Sequence, residues 1–405
     1  MMTTVKIAWR NIWRTPLRSL IVIGSIVLGI WAGIFVIAFC YGLNSQRTMN
    51  RIKSEVSHIQ IHHPEYEKDF DSKFTIEDPI TLEKTFAAEP EIKSYALRSL
   101  QMGMISSPIK SNGVKIIGIN KAQEKEVTNL YTNLTEGSYF ETKRKNAILI
   151  GEVLAKKLNV RLRSKVVLTF QDNENNIISG AFRVCGIFKT QFSKYDESHV
   201  FIQNSDLHRL IQSEGYHQAA LLCHSIYQVE SVLSRLNSQL NDANIKDWKK
   251  IAPELAYADE VMETWLFLIM IIIMLALIFG IINTMLMAVF ERRKELGMLM
   301  AIGMNKSKVF TLILVETFFL SLIGAPTGML LGALTINLTS ETGIDLSIVG
   351  DGLQSVGLSN IIYPIIEPKF YFLTGILVFI FTLIAAIYPS KKALRLKPTE
   401  AIRTI

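Results

Sequence analysis

The chain has 405 residues, 49% of them hydrophobic and 20% charged, with a formal net charge of +7 and a mean hydropathy of +0.27. Its 23 Gly, 11 Pro and 3 Cys exclude a collagen, a low-complexity disordered chain and a small disulfide scaffold. The apolar residues are concentrated in four long runs, so the excess charge has to be located before it can be read as affinity for nucleic acid.

Residues 1–18 place Lys6, Arg10, Arg14 and Arg18 at four-residue intervals, which keeps them on one face of a helix. Val5, Trp9, Ile12, Trp13 and Leu17 fill the other face. This pattern predicts an amphipathic helix lying on the inner leaflet, with Trp9 and Trp13 as interfacial anchors. Ser19–Tyr41 follows as 23 residues without a charge, longer than the 7–15-residue core of a signal peptide and without a small-residue cleavage site. It reads as an uncleaved first span, 19–41.

Residues 42–263 form a domain-sized segment. Alternation at Val56, Ile59 and Ile61 predicts a strand ending Arg51–His63. A helix is expected over Thr81–Ala88 and strands over Tyr95–Ser106 and Gly113–Asn120. Strand, helix and strand recur at Ala219–His224, Gln228–Leu240 and Asn244–Ile251. These halves predict one α+β layer, its core at about 50–120 and 218–252, with helices on one sheet face. An inserted subdomain at about 121–217 carries a helix at Gly151–Leu158 and a strand pair, Lys165–Phe170 and Ala181–Phe188. The pair is joined by a polar loop, Gln171–Gly180.

The remaining spans are 264–290, 309–339 and 370–390. The third is interrupted only by Glu316, and an intramembrane carboxylate needs a polar partner or a function. Gly324, Gly328 and Gly332 recur every fourth residue in that span, as do Ser25, Gly29 and Gly33 in the first. Both stripes predict close helix packing. Segment 291–308 joins the second and third spans, 340–369 is an outer loop, and 391–405 is a tail.

Fourteen basic residues lie in three short segments, 1–18, 291–308 and 391–405, whereas 42–263 has 28 basic and 28 acidic residues. The preference of Lys and Arg for cytoplasmic loops puts both termini and 291–308 inside and the neutral domain outside. The basic balance is therefore a topology signal, and no nucleic acid is expected as a partner. The expected fold class is an α-helical integral membrane protein of four transmembrane helices, with an α+β outer domain of two subdomains between helices 1 and 2.

Catalytic signals are absent from the sequence. No phosphate-binding G-x-x-x-x-G-K-[ST], H-E-x-x-H, C-x-x-C or G-x-S-x-G occurs, so neither catalysis nor a resident cofactor is expected. All seven His lie in the outer segment. His58 and His62 are about 13 Å apart on one strand face, too far to share a metal, so surface or strand histidines are expected and no metal site. Cys185 and Cys223 admit either a disulfide or two buried thiols.

Segment 290–308 reads Phe-Glu-Arg-Arg-Lys-Glu-Leu-Gly-Met-Leu-Met-Ala-Ile-Gly-Met-Asn-Lys-Ser-Lys. In this position it resembles the permease subunits of the FtsX/MacB/LolC–LolE group of ABC transporters. Ala8-Trp9-Arg10-Asn11 resembles that family's first helix, and Tyr388-Pro389-Ser390 through Pro398-Thr399-Glu400-Ala401 its C-terminal signature. Ser57-His58-Ile59-Gln60-Ile61 and Gly186-Ile187-Phe188 fit its periplasmic domain. The departures are Met300, where members often carry Arg; Leu162-Arg163-Ser164, where many have a Gly-Asp turn; and a Gln171–Gly180 loop too short for the LolC-type carrier-docking hook.

The resemblance implies a non-catalytic permease of the bacterial inner membrane whose ATP is bound by a cytoplasmic ABC ATPase dimer. A second permease, identical or homologous, completes the assembly. Glu291, Arg292, Arg293, Glu295, Leu296, Gly297, Leu299 and Gly303 form the expected ATPase-coupling segment, with Leu296 and Leu299 filling an apolar groove in the partner. The expected role is mechanotransmission, in which ATP-driven closure moves the periplasmic domains. Lipoprotein release from the inner membrane is the first expectation for cargo. MacB-like peptide or drug efflux, and FtsX-like activation of a periplasmic cell-wall hydrolase, are the alternatives.

The charge placement generates a direct test. A cysteine at Asn175 should react with a membrane-impermeant thiol reagent on intact, outer-permeabilised cells, and one at Lys306 should stay unlabelled; the reverse pattern overturns the topology.

Overall fold

Among the described residues four helices are long and apolar enough to cross a membrane: TM1 (Pro16–Arg51), TM2 (Pro253–Glu291), TM3 (Lys306–Thr342) and TM4 (Pro368–Leu394). The computed structural model describes residues 2–14, 16–141, 145–240, 242–355 and 358–394; the C-terminal signature beyond Leu394 lies outside them. TM1 and TM2 run well beyond their uncharged stretches, because helix geometry continues into polar sequence once nucleated. The described residues divide into two compact units, Ser45–Asp259 with Leu346–Asn360, and the spans with the N-terminal helix.

The membrane unit is organised by small residues. A Cβ at Gly328 would lie 2.9 Å from the Val27 carbonyl oxygen and 3.0 Å from the Ile30 Cβ, and one at Gly324 would lie 2.9 Å from Ile26. The glycine stripe of TM3 therefore lies directly against the TM1 backbone. The second stripe faces elsewhere: Gly29 and Gly33 of TM1 meet Leu277 and Ile273 of TM2, while the Ser25 hydroxyl donates to the Val22 carbonyl of its own helix. The Trp31 indole donates to Thr335 Oγ1 at 2.9 Å, between TM1 and TM3. TM4 joins through Phe379, 5.8 Å from Phe318 of TM3. TM3 continues as helix through Pro326.

At the outer end an extended segment lies across TM1. The Ile365 amide donates to the Ala38 carbonyl at 3.1 Å, and a side chain at Gly42 would collide with the Tyr363 carbonyl. The Tyr41 hydroxyl donates to Glu367. Lys369 pairs with Glu263 at 2.9 Å and Glu367 at 3.0 Å, tying TM2 to TM4.

The outer unit is a ten-stranded sheet: β1 (Ile59–His62), β2 (Ile92–Ser106), β3 (Ser111–Ile119), β4 (Leu134–Gly137), β5 (Ala147–Gly151), β6 (Lys165–Gln171), β7 (Ile177–Phe188), β8 (His199–Gln203), β9 (Gln218–Cys223) and β10 (Asn244–Asp247). The order is β10-β1-β9-β2-β3-β8-β5-β7-β4, with β6 pairing β2 and β7. β2 is long enough to serve two cores. Its first half pairs with β9 and its last residues with β6. One core lies where helices Pro79–Ala88 and Val229–Gln239 pack on β1 and β9. A second lies where helices Glu152–Leu158 and Asn204–Ile211 cover β5 to β8, and a third gathers Tyr66, Leu100, Phe140, Phe188 and Phe201.

Several local expectations are corrected. Strand 244–251 stops at Asp247, whose carboxylate accepts from the Lys250 amide and starts a short helix, Trp248–Ile251. The 171–180 loop shrinks to residues 172–176, because β6 and β7 stay paired out to Gln171 and Ile177. β1 is buried at all four positions rather than alternating, since it is an inner strand between β9 and β10. β4, β5 and β8 are not among the strands expected from the sequence. β5 is a short, fully buried run, which periodicity cannot distinguish from a helix.

Buried polar groups fix the register of this sheet. Arg98 of β2 and Glu124 of helix Lys121–Val127 are 3% and 0% exposed. Arg98 Nε and Nη2 donate to the carboxylate at 2.9 and 2.8 Å, and Nη1 donates to Gln218 of β9 at 3.1 Å. Removing one partner of such a pair costs about 3–5 kcal/mol. Cys185 and Cys223 are free thiols. His58, His62 and His217 are buried rather than surface groups. Among the described residues no three His, Cys, Asp or Glu side chains gather to hold a metal.

Burial pushes His199 down to about 3 and His58 and His62 down to about 4. These rings stay neutral in the fold but take up protons below about 6.5 once unfolded. Their contribution is complete above that pH and is lost as pH falls towards 4. Asp196, raised by burial to about 6, acts oppositely, since its folded form favours the proton, but it is one group against three. The unfolding temperature of the full chain in detergent should fall between pH 7 and pH 5, and His199→Gln should flatten that fall; an unchanged pH profile in the variant contradicts this assignment.

The helix contacts generate a second test. Gly328→Leu should lower the thermal stability of the purified chain by about 1–3 kcal/mol or more, because the TM1 backbone has to move; a variant as stable as the parent shows that the stripe does not set the TM1–TM3 distance.

Candidate coupling surface

TM2 ends at Glu291, and a helix of nine residues, Arg293–Ala301, leads back to TM3. Arg292 occupies the junction with φ −92° and ψ 16°, outside helical values. The return turn depends on Gly303, whose φ of +101° is a conformation that side chains disfavour. Asn305 then starts TM3 by accepting from the Ser307 amide at 3.3 Å.

The polar side chains of this segment converge on TM3 and the N-terminal helix. Arg292 Nη1 donates to both carboxylate oxygens of Glu316, at 2.8 and 3.0 Å, with the two side chains 12% and 13% exposed. Glu295 lies 3.6 Å from Arg292 Nε and 3.3 Å from Arg14. Glu295 therefore links three elements rather than projecting freely. The Arg292 Nη2 and Arg293 Nε atoms are buried without a hydrogen-bond partner.

The apolar residues divide differently from expectation. Leu296 is 7% exposed and belongs to the membrane core, so it is not available to a partner. Gly297 is buried beside it. Leu299 is half-buried and Glu291 is exposed. The outward positions are Met298, 54% exposed, and Ile302, 80% exposed. The sequence carries a signal for them. Glu295, Met298, Leu299 and Ile302 fall at i, i+3, i+4 and i+7, one helical face. A second stripe, Leu296 and Met300, is equally periodic, and only packing decides which one turns inward.

The N-terminal helix, Met2–Arg14, packs against TM3. Its buried residues are Ala8 and Ile12, the latter on the apolar face expected from charge spacing. Trp9 stacks edge-on with Phe319 of TM3 at 5.3 Å, while both indoles remain exposed on the chain. The Ser19 hydroxyl donates to the Ile12 carbonyl at 2.7 Å. A cavity of about 380 Å³ is lined by residues of this helix, TM2, the 293–301 helix and TM3. It is mostly apolar, with Arg14, Arg292, Glu295 and Glu316 at its polar edge.

Met298 and Ile302 are thus exposed, and Arg292, at the junction of TM2 and the short helix, reaches TM3 through Glu316. The comparisons with known proteins agree with that layout. The MacB-like periplasmic core domain matches residues 19–242, more than half of the chain, and the FtsX-like permease C-terminal domain matches residues 267–398. The chain is 22% identical to the lipoprotein-releasing system transmembrane protein LolC of Haemophilus influenzae, covering 94% of this chain and 91% of that one. It is 22% identical to LolE of the same organism, covering 99% of both. It is 24% identical to an uncharacterised ABC transporter permease of Methanocaldococcus jannaschii, covering 98% and 97%. The chain belongs to the family of ABC transporter permeases that join a MacB-like periplasmic core domain to an FtsX-like permease region.

Proposed function

We propose that this chain is the membrane-spanning transmitter of an inner-membrane ABC transporter. Both termini and the 293–301 helix face the cytoplasm, and the ten-stranded domain lies outside. ATP is bound and hydrolysed by a separate cytoplasmic ATPase dimer, and a second permease completes the assembly. The observation that carries this reading is the pair Met298 and Ile302, large apolar side chains exposed at the end of this helix, while Leu296 and Gly297 are buried. Apolar side chains that remain exposed on a basic, non-membrane segment mark a protein contact.

The finer reading is lipoprotein release from the inner membrane. The lipoprotein-releasing role for which the LolC and LolE relatives are named supports it, as does the near-complete coverage of this chain by both. Purification of the tagged chain from its source membranes tests both levels. Co-elution of an ATPase with vanadate-sensitive activity tests the transporter, and acylated proteins in the same fraction test the cargo. A co-eluting cell-wall hydrolase with no acylated protein contradicts lipoprotein release.

Ile302→Asp should insert normally, because the residue is exposed and outside the core. It should lower the yield of co-purified ATPase by tenfold or more, as expected when about 1.4 kcal/mol of contact is lost. Leu296→Ala should instead reduce thermal stability. Undiminished ATPase recovery with Ile302→Asp removes this face from the interface.

A further inference from the structure

Besides apolar packing through Leu296, the 293–301 helix reaches TM3 by two routes. The covalent route passes through Gly303, where a Cβ would have no atom within 4 Å and the backbone adopts a left-handed φ. That turn is exposed at Gly303 and closed by backbone hydrogen bonds from the Gly303 and Met304 amides to the Met300 and Leu299 carbonyls. The second route is the Arg292–Glu316 pair, in which one guanidinium nitrogen donates to both carboxylate oxygens, largely shielded from water. Glu316 sits ten residues beyond the first residue of TM3, about 15 Å along the helix at 1.5 Å per residue. The pair therefore grips TM3 well inside its length, whereas the turn holds only its end.

We propose that Glu316 is a positioning residue for coupling. Displacement of the 293–301 helix is delivered to TM3 through the Arg292–Glu316 pair, and from TM3 to TM1 through the Gly324–Gly328–Gly332 contact. The inference rests on the reading that an ATPase moves this helix.

The charges around the pair support a stiff link. Glu295 is a weaker second anchor for Arg292, at 3.6 Å and 45% exposed. The Arg14–Glu295 contact joins side chains 67% and 45% exposed, and solvent-exposed pairs hold little force. The charge-assisted Arg292–Glu316 contact, shielded from water, is the strong member of this set. TM3 in turn cannot slide freely on TM1, because its glycines place the two backbones in contact, with the Val27 carbonyl oxygen 2.9 Å from where a Gly328 Cβ would be. The link and the contact lie on one helix, so a pull at Glu316 moves the surface that touches TM1.

The test uses the full-length chain purified with its ATPase in lipid nanodiscs. Spin labels are placed at Ile272 of TM2 and Leu338 of TM3, both exposed. The distance is measured without nucleotide and with ATP plus vanadate. The parent should show a nucleotide-dependent change. Glu316→Gln, which keeps the shape and removes the charge, should bind the ATPase in parental yield yet lose the change. The charge swap Arg292→Glu with Glu316→Arg should restore it, which a residue needed only for folding would not predict.

A retained change in Glu316→Gln overturns the proposal, and so does a swap that assembles but stays unresponsive. If Glu316→Gln does not insert, the swap alone decides in the same way. Failure of the parent to bind any ATPase removes the underlying reading, and the proposal with it.

Discussion

Hydrocarbon offers no hydrogen bonds, so each polar side chain within the spans depends on protein for a partner. That constraint selects the arrangement of this membrane unit. Glu316, the one acidic residue inside an apolar run, is bound by Arg292 from the end of the neighbouring span. Trp31 reaches Thr335 across TM1 and TM3. Thr317 and Ser390 return their hydroxyls to carbonyls of their own helices. Between these polar points there is no hydrophobic drive to hold helices together in lipid, so close packing supplies it. The glycines of TM3 lie on TM1, and those of TM1 accept side chains from TM2.

The outer unit follows different physics, because water is available to it and apolar burial drives its assembly. Two of its cores share β2, which passes from β9 to β6. The Arg98–Glu124–Gln218 cluster ties that strand to helix Lys121–Val127 and β9. A strand that belongs to both cores leaves little freedom for one subdomain to turn against the other. A unit of that kind can carry motion without absorbing it.

The spans are legible in the sequence because an uncharged apolar run of twenty or more residues matches the thickness of a bilayer core and exceeds an ordinary buried helix. The glycine stripes are legible as packing faces, since their spacing of four is helical, but not the identity of the helices they touch. Glu316 can be recognised as needing a partner. Arg292 cannot be chosen from the neighbouring basic residues, because the separation of 24 positions depends on how the turn at Gly303 closes. In the 293–301 helix two apolar stripes compete, and Leu296 goes inward while Met298 and Ile302 stay out. In the outer domain the alternating strands are visible. β5 is not, because a strand buried on both faces loses the period-two signal. The 244–251 segment departs from its strand expectation because the Asp247 cap starts a helix within a run that favours strand.

The central claim is that energy released at a cytoplasmic ATPase reaches the outer domain through this chain. Hydrogen exchange of residues 45–259, measured in the purified permease–ATPase assembly with and without ATP plus vanadate, tests it most directly. The account predicts a nucleotide-dependent change in amide protection within the outer sheet, where no nucleotide can bind directly. Identical protection in both states, with the ATPase bound and hydrolysing, would contradict it.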